Sequence, residues 1–457
     1  MSSFKQNLIA LPALFCLGVS AQNEKPNVII ILADDAGYVD FGFQGSKEFQ
    51  TPHIDRIAKS GVRFSQGYVS ASVSSPSRAG ILTGRYQERF GHENNLPEIQ
   101  LYGATPENSG LCVTEKTLAE VLHNEGYATA AIGKWHLGAH ENFHPLNRGF
   151  DYFFGFLGGS RSYWDTEEID VRKMYRNKVL VPFKGYLTDI LANDAVSYID
   201  STKDRPFFMF LSFSAVHEPV EAKPELLAKF NHIPDIGRRK LAAMTYSLDE
   251  AIGRVMNELE AKGLIDNTIV FFLSDNGGPT AQNFSDNGIL SGTKGSKKEG
   301  GIRVPFLVQW KGMLPENKVY TNPVISLDIF KTVVETVHAK TDNLKKLDGV
   351  NLIPYINGQI EGKPHQTLCW RRGSYAAIRD NDWKLIRYPD RLPELYNLKN
   401  DISESQNLGL KNKELVQKLM KKLFDWECEM SPARWQENAR WMKENLKCFD
   451  NYPAKKK

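Results

Sequence analysis

Asn27-Val28-Ile29-Ile30-Ile31-Leu32-Ala33-Asp34-Asp35 is the stretch on which the fold turns. Its apolar, largely β-branched residues run without a polar break. A strand of that kind is buried on both faces, as in a parallel sheet covered by helices. The run stops at Asp34-Asp35, with Gly37 close behind. Two carboxylates therefore stand at the C-terminal edge of a buried strand, where open α/β sheets bind ligands. Adjacent acids repel, so a cation is a natural reason for keeping both, although Asp and Gly also build ordinary solvated turns.

The same unit recurs along the chain. Residues 127–132 read as a strand running into Gly133-Lys134-Trp135-His136, with Lys134 and His136 on one side and Trp135 on the other. Residues 206–213 form another buried run, ending near His217 and Pro219. Residues 268–273 form the clearest one and deliver Ser274-Asp275-Asn276-Gly277-Gly278. Between them, residues 114–125, 187–199 and 239–262 carry apolar side chains at helical spacing. This alternation predicts an α/β fold with a large, mostly parallel sheet. Asp275 and Asn276 repeat the logic of Asp34 and Asp35, and together they make a hard-oxygen set suited to Ca²⁺ and less to Mg²⁺. No His and Cys cluster points to zinc. Lys294, in Gly292-Thr293-Lys294-Gly295-Ser296, reads on its own as a solvated loop lysine.

A second stretch carries the chemistry: Ser74-Ser75-Pro76-Ser77-Arg78-Ala79-Gly80-Ile81-Leu82-Thr83-Gly84-Arg85. It predicts a short helix with Ser75 as N-cap, Pro76 at the first helical position and Gly84 at the end. Ser74 then lies where free N–H groups and the positive helix end hold an anion, and Arg78 reaches the same place as a fork of donors.

Residues 1–21 hold one charge, Lys5, then an apolar run that closes in Val19-Ser20-Ala21. That is the pattern of a cleaved secretory signal, too short to span a membrane, and it predicts an exported, periplasmic or extracellular bacterial protein. The chain has 57 Lys and Arg, of which Lys5 alone lies in the leader, against 54 Asp and Glu. Such a balance predicts no bulk attraction to nucleic acid or to a membrane surface. Beyond the leader Cys112, Cys369, Cys428 and Cys448 are widely spaced. Export permits a disulfide, and Cys428 with Cys448 is conceivable, but spacing does not decide it.

The Ser-x-Pro-x-Arg core at Ser74, followed by Ala-Gly-Ile-Leu-Thr-Gly-Arg, resembles the signature of formylglycine-dependent sulfatases. Only Ser74 has Pro two residues and Arg four residues on. The resemblance implies the alkaline-phosphatase-like α/β sandwich, with a smaller C-terminal subdomain. It also implies that Ser74 is oxidised to a formylglycine aldehyde by a dedicated maturation enzyme. Asp34, Asp35, Asp275 and Asn276 match the family's calcium ligands, and position 74 completes that site. Lys134 and His136 match its Gly-Lys-Trp-His block, His217 its His-x-Pro block, and Lys294 the lysine before Glu-Gly-Gly.

The chemistry implied is attack on sulfur by a hydroxyl of the hydrated aldehyde, with the cation, Arg78, Lys134 and Lys294 holding the negative charge. His217 resembles the acid that protonates the leaving alkoxide, and His136 the residue that takes a proton from the sulfated diol. Two other readings use the same residues. One is a phosphomonoesterase or phosphodiesterase in which unmodified Ser74 attacks phosphorus. The other is a non-catalytic protein that binds sulfated glycans.

An exported sulfatase of this kind resembles carbohydrate sulfatases, which makes a mucin or glycosaminoglycan sugar the expected partner. Residues 152–156 and 160–164 are aromatic-rich, with Arg161 among them, and His92, Glu93 and Asn94 stand near the Ser74 helix in sequence. His92, Asn94, Arg161 and Arg371 are the candidates for sugar contacts, with core packing and a salt-bridged surface as the alternatives. Past residue 364 short alternating runs predict an antiparallel sheet, followed by amphipathic helices over 411–426 and 432–446. The domains expected are a signal peptide over 1–21, a catalytic α/β unit over 22–364 and a C-terminal unit over 365–457.

Overall fold

A computed structural model describes residues 25–97, 104–164, 168–202 and 204–436. The expected leader, the 432–446 helix beyond Gln436 and Cys448 lie outside them. A ten-stranded sheet runs, edge to edge, through Lys318–Tyr320, Val62–Phe64, Phe306–Gln309, Thr268–Ser274, Asn27–Ala33, Phe207–Ser212, Ala128–Lys134, Tyr152–Phe156, Tyr175–Arg176 and Val179–Leu180. The strands from Thr268–Ser274 to Tyr152–Phe156 are mutually parallel. Phe306–Gln309 and the Tyr175–Leu180 hairpin join antiparallel at either side.

The Asn27 strand shows why its sequence lacks polar alternation. Ile29, Ile31 and Ala33 pack into one apolar cluster, under the helices Leu187–Thr202 and Ile236–Ala261. Val28, Ile30 and Leu32 pack into a second, which takes in residues of Ser74–Thr83, Leu118–Asn124 and Asp328–Thr336. With both faces apolar, polarity cannot fix the register. Asn27 does so instead. Its amide Nδ2 donates to Thr268 Oγ1 at 3.3 Å, and its Oδ1 accepts the Phe207 N–H at 3.1 Å, which pins both neighbouring strands.

Thr367–Arg372, Tyr375–Asp380, Trp383–Arg387 and Glu394–Asn397 form a separate four-stranded antiparallel sheet, with the helix Lys413–Glu427 against it. A buried charge cluster ties this sheet to the larger unit. Lys384 lies 2.8 Å from Glu299 and 2.9 Å from Glu404, and all three are fully buried. Tyr68 donates to Glu299 at 2.6 Å, and Arg303 stands 3.3 Å from the same carboxylate. Glu299 opens the short helix Glu299–Ile302, only a few residues after Lys294. The small sheet thus grips the loop that carries Lys294.

Candidate active site

Four neighbouring parallel strands deliver the polar residues to one edge. Asp34 and Asp35 follow the Asn27 strand, and Asp275 and Asn276 follow the Thr268 strand. His217 comes after Phe207–Ser212, while Lys134 ends Ala128–Lys134 with His136 just beyond. The helix Ser74–Thr83 meets this edge with its N-terminus. It begins earlier than expected: Val73 is the N-cap, in extended backbone, and Ser74 is already helical. Ser75 does not cap it. The Ser75 N–H is met by Asn95 Oδ1 at 3.0 Å, and the Ser77 N–H by the Val73 carbonyl at 3.3 Å. Pro76 falls among the first-turn positions, where a missing N–H costs nothing. Gly84 ends the helix as expected, with a left-handed φ of 64°.

Ser74 Oγ lies 3.2 Å from Asp34 Oδ1 and 3.3 Å from Asn276 Oδ1. Asn276 Nδ2 donates to Asp35 Oδ1 at 2.6 Å, and the Asp35 N–H donates to Asp275 Oδ1 at 3.2 Å. The Asp-Asp and Asp-Asn pairs, about 240 residues apart in sequence, therefore share one pocket floor. Arg78, one turn into the helix, contacts Asp275 Oδ2 through Nε at 3.1 Å and Nη2 at 3.0 Å, and also bonds Ser212 Oγ. Lys134 pairs with Asp34, Lys294 with Asp35 at 2.8 Å, and His217 Nε2 stands 3.5 Å from the same Asp35 oxygen. Backbone contact packs the loops: a Cβ on Gly277 would fall 1.9 Å from the Gly300 carbonyl.

Charge explains the protonation states. Burial pushes the Asp34 carboxyl up, but Lys134, His217 and Arg78 outweigh it and hold it below the usual carboxylate range. Burial acts likewise on Asp35, and Lys294 and His217 bring it down. Burial lowers His217, with Lys294 adding to the effect. Burial lowers His136 further, reinforced by Lys134, Arg78 and Lys294. Lys294 is raised, since Asp35 and Asp34 outweigh its burial.

The donor set fits a divalent ion. Asp34, Asp35 and His217 each bring one ligand atom within 4.8 Å of the others. The remaining groups at hand, on Asp275, Asn276 and Ser74, offer oxygen, which favours a hard cation over zinc.

The sugar-contact candidates all have partners within the chain. His92 is buried, with Nε2 2.7 Å from Ser75 Oγ and its ring against Trp435. Asn94 donates to the Trp435 carbonyl at 3.0 Å. Arg371 pairs with Glu93, which is buried, and donates to the Ser431 carbonyl at 2.8 Å. Arg161 lies 4.3 Å from the Phe183 ring centroid and donates to the Arg172 carbonyl. Several supporting residues carry no motif. Ser212 braces Arg78; Asn283 Nδ2 donates to the Asp35 and Val216 carbonyls; Tyr163 Oη donates to those of Ser214 and His217. Ser212 is only the last residue of an apolar strand, so no local signal marks it.

A model of the sulfatase family matches residues 26–339, and the chain belongs to that family of sulfuric ester hydrolases. Its architecture is the alkaline-phosphatase-like one. The chain is similar to the crystal structure of Ps i-CgsB in complex with k-i-k-neocarrahexaose, at 34% identity and TM-score 0.85, over 93% of this chain and 97% of that one. It is 30% identical to the N-acetylgalactosamine-6-O-sulfatase of Bacteroides thetaiotaomicron, over 87% of this chain and 92% of the relative. It is 32% identical to the uncharacterized sulfatase YdeN of Escherichia coli K12, over 76% and 68% respectively.

Proposed function

We propose that this enzyme hydrolyses a sulfate monoester on a sugar at the pocket around position 74. Ser74, oxidised to formylglycine, is the nucleophilic position, and Asp34, Asp35, Asp275 and Asn276 hold a calcium ion beside it. The observation that carries this reading is the placement of Ser74 Oγ between Asp34 and Asn276 at the mouth of a helix. The chemistry the bound groups supply is Lewis-acid polarisation of the ester from the cation and a hydroxyl nucleophile from the hydrated aldehyde.

The chain's own residues do the rest. The carboxylates of Asp34, Asp35 and Asp275 are balanced by Arg78, Lys134 and Lys294, so a divalent ion makes the site positive and draws in an anionic ester. Lys134 and Lys294 bind the sulfuryl oxygens. Arg78, locked onto Asp275 and Ser212, sets the carboxylate geometry. His217 donates the proton that the departing alkoxide requires, and the arriving anion, by offsetting Lys294, favours its protonated form. His136 accepts a proton on the return step. The leader and the carbohydrate relatives support an exported protein acting on sulfated glycans; among the described residues no helix is long and apolar enough to cross a membrane. The division near residue 364 follows the change from the large sheet to the small one.

Mass spectrometry of the Ser74 peptide from the native host tests the proposal. Loss of two hydrogens is expected, together with sulfate release from a sulfated saccharide. Unmodified serine with phosphatase turnover would instead assign the phosphoesterase reading. A second measurement isolates His217. His217→Ala slows alkyl sulfates by about 10²–10⁴-fold and esters of an acidic phenol by only a few-fold, because the phenolate leaves without help. Equal losses on both substrates remove His217 from the acid role.

A further inference from the structure

His217 is carried differently from its neighbours in the pocket. Lys134 is the last residue of its strand, whereas His217 lies out on a loop past the end of Phe207–Ser212. A group that hands over a proton has to be held to about half an ångström, and a loop does so only when something braces it. The ring has one fixed side. Nδ1 lies 2.6 Å from the Glu218 carbonyl, which can only accept, so Nδ1 carries the hydrogen of that bond. Nε2 is left toward the charged cluster, 3.5 Å from Asp35 Oδ2. That bond orients the ring on its own backbone, and the backbone needs a brace of its own.

The brace comes from Ser162 and Tyr163, in the aromatic-rich stretch 160–164. Tyr163 is fully buried, and its Oη lies 2.7 Å from the Ser214 carbonyl and 2.9 Å from that of His217. Those carbonyls stand at the two ends of a turn that the His217 N–H closes onto Ser214 at 2.9 Å. One phenol hydrogen, shared between them, staples the turn. Past His217 the same segment grips the loop again. Ser162 Oγ and the Tyr163 N–H both donate to Glu221 Oε2, at 2.7 and 2.8 Å. Tyr186, whose ring stacks on Tyr163 at 5.4 Å, donates to the Glu221 carbonyl at 2.9 Å. The Tyr163 carbonyl in turn accepts the Leu187 N–H at 2.8 Å, where the helix Leu187–Thr202 begins. Packing alone asks for a ring, which phenylalanine would supply; the hydroxyl is explained by the turn it closes. We propose that Tyr163 is a positioning residue for His217, holding the proton donor in place for the step in which the alkoxide leaves. The proposal rests on the reading of His217 as the acid in sulfate ester hydrolysis.

The test uses the mature enzyme from its native host, a sulfated saccharide and the sulfate ester of an acidic phenol. Tyr163→Phe keeps the ring and removes the hydroxyl. It is expected to lower kcat on the saccharide about tenfold or more, with KM within about twofold and the aryl ester rate within about threefold. A misplaced acid matters only where the leaving group needs its proton. Tyr127→Phe is the control for plain loss of stability. That buried phenol donates to the Pro26 carbonyl at 2.8 Å, beside the start of the Asn27 strand and at the end opposite Asp34, and its removal is expected to leave the ratio of the two rates unchanged. If Tyr163→Phe yields no folded enzyme, Ser162→Ala decides: a ratio shifted toward the aryl ester supports the inference, and an unchanged ratio overturns it. Equal losses on the two substrates in Tyr163→Phe, no loss on either, or the same selective loss in Tyr127→Phe also overturns it. A selective loss in His217→Ala would then leave the acid role standing. No release from either substrate by the parent enzyme overturns the sulfatase reading and the inference together.

Discussion

Ser74→Ala is expected to abolish sulfate release, by about 10⁴-fold or more, with the fold retained. On the proposed reading, covalent catalysis places the whole bond-making step on this side chain, and nothing beside it can substitute. Ser75, its neighbour, is turned away: its Oγ donates to the His136 carbonyl at 2.7 Å and meets His92 Nε2 at the same distance. Removing one hydroxyl from a helix whose remaining first-turn contacts persist costs little stability, so circular dichroism and the melting temperature stay close to the parent. Ser75→Ala is the matched control. A Ser74→Ala enzyme that kept a tenth of the parent rate would remove Ser74 from the nucleophilic role.

The second large effect concerns stability. Lys384→Met is expected to cost about 3–5 kcal/mol, because it leaves two buried carboxylates without the cation they share. The cost depends on pH, and its sign follows from the two groups. Burial pushes Glu299 up, but Lys384 and Arg303 bring it down to about 2. Its contribution is therefore present above the ordinary carboxylate value and lost as pH falls toward 2. Burial holds Glu404 up at about 7 despite Lys384, so its folded state is favoured by protonation and loses stability as pH rises through 7. Without Lys384 both carboxyls shift upward. The gap between variant and parent in denaturant unfolding should then widen from pH 5 to pH 8. A gap that is constant across this range would mean that Lys384 acts through packing alone.

Much of the molecule is legible in its sequence, and the reasons are local. Unbroken runs such as Asn27–Ala33 and Thr268–Ser274 announce strands buried on both faces, and the acids that end them mark the ligand edge. The register of neighbouring strands, which brings Asp35 against Asn276, is long-range: Asn27 pins it, but nothing in its own segment marks Thr268 and Phe207 as the partners. Lys384 shows the opposite failure. In an alternating strand, a lysine reads as solvent-facing, and only the tertiary packing of Glu299 and Glu404 makes it the centre of a buried cluster. The helix at Ser74 starts earlier than its Ser-Pro pattern suggests because Asn95, distant in sequence, takes over the job of a cap. The contacts of His92 and Asn94 with Trp435 join segments more than 300 residues apart, and nothing local to either residue marks them.

Ser74 is 1% exposed, and every residue of its helix is buried. A maturation enzyme cannot grip a side chain enclosed in this way once the strands have closed around it. On the proposed reading the oxidation must happen while the polypeptide is still extended, ahead of export and folding. Timing then becomes a checkpoint: a molecule that folds too early is sealed with an ordinary serine and stays inert however well it is later supplied with calcium.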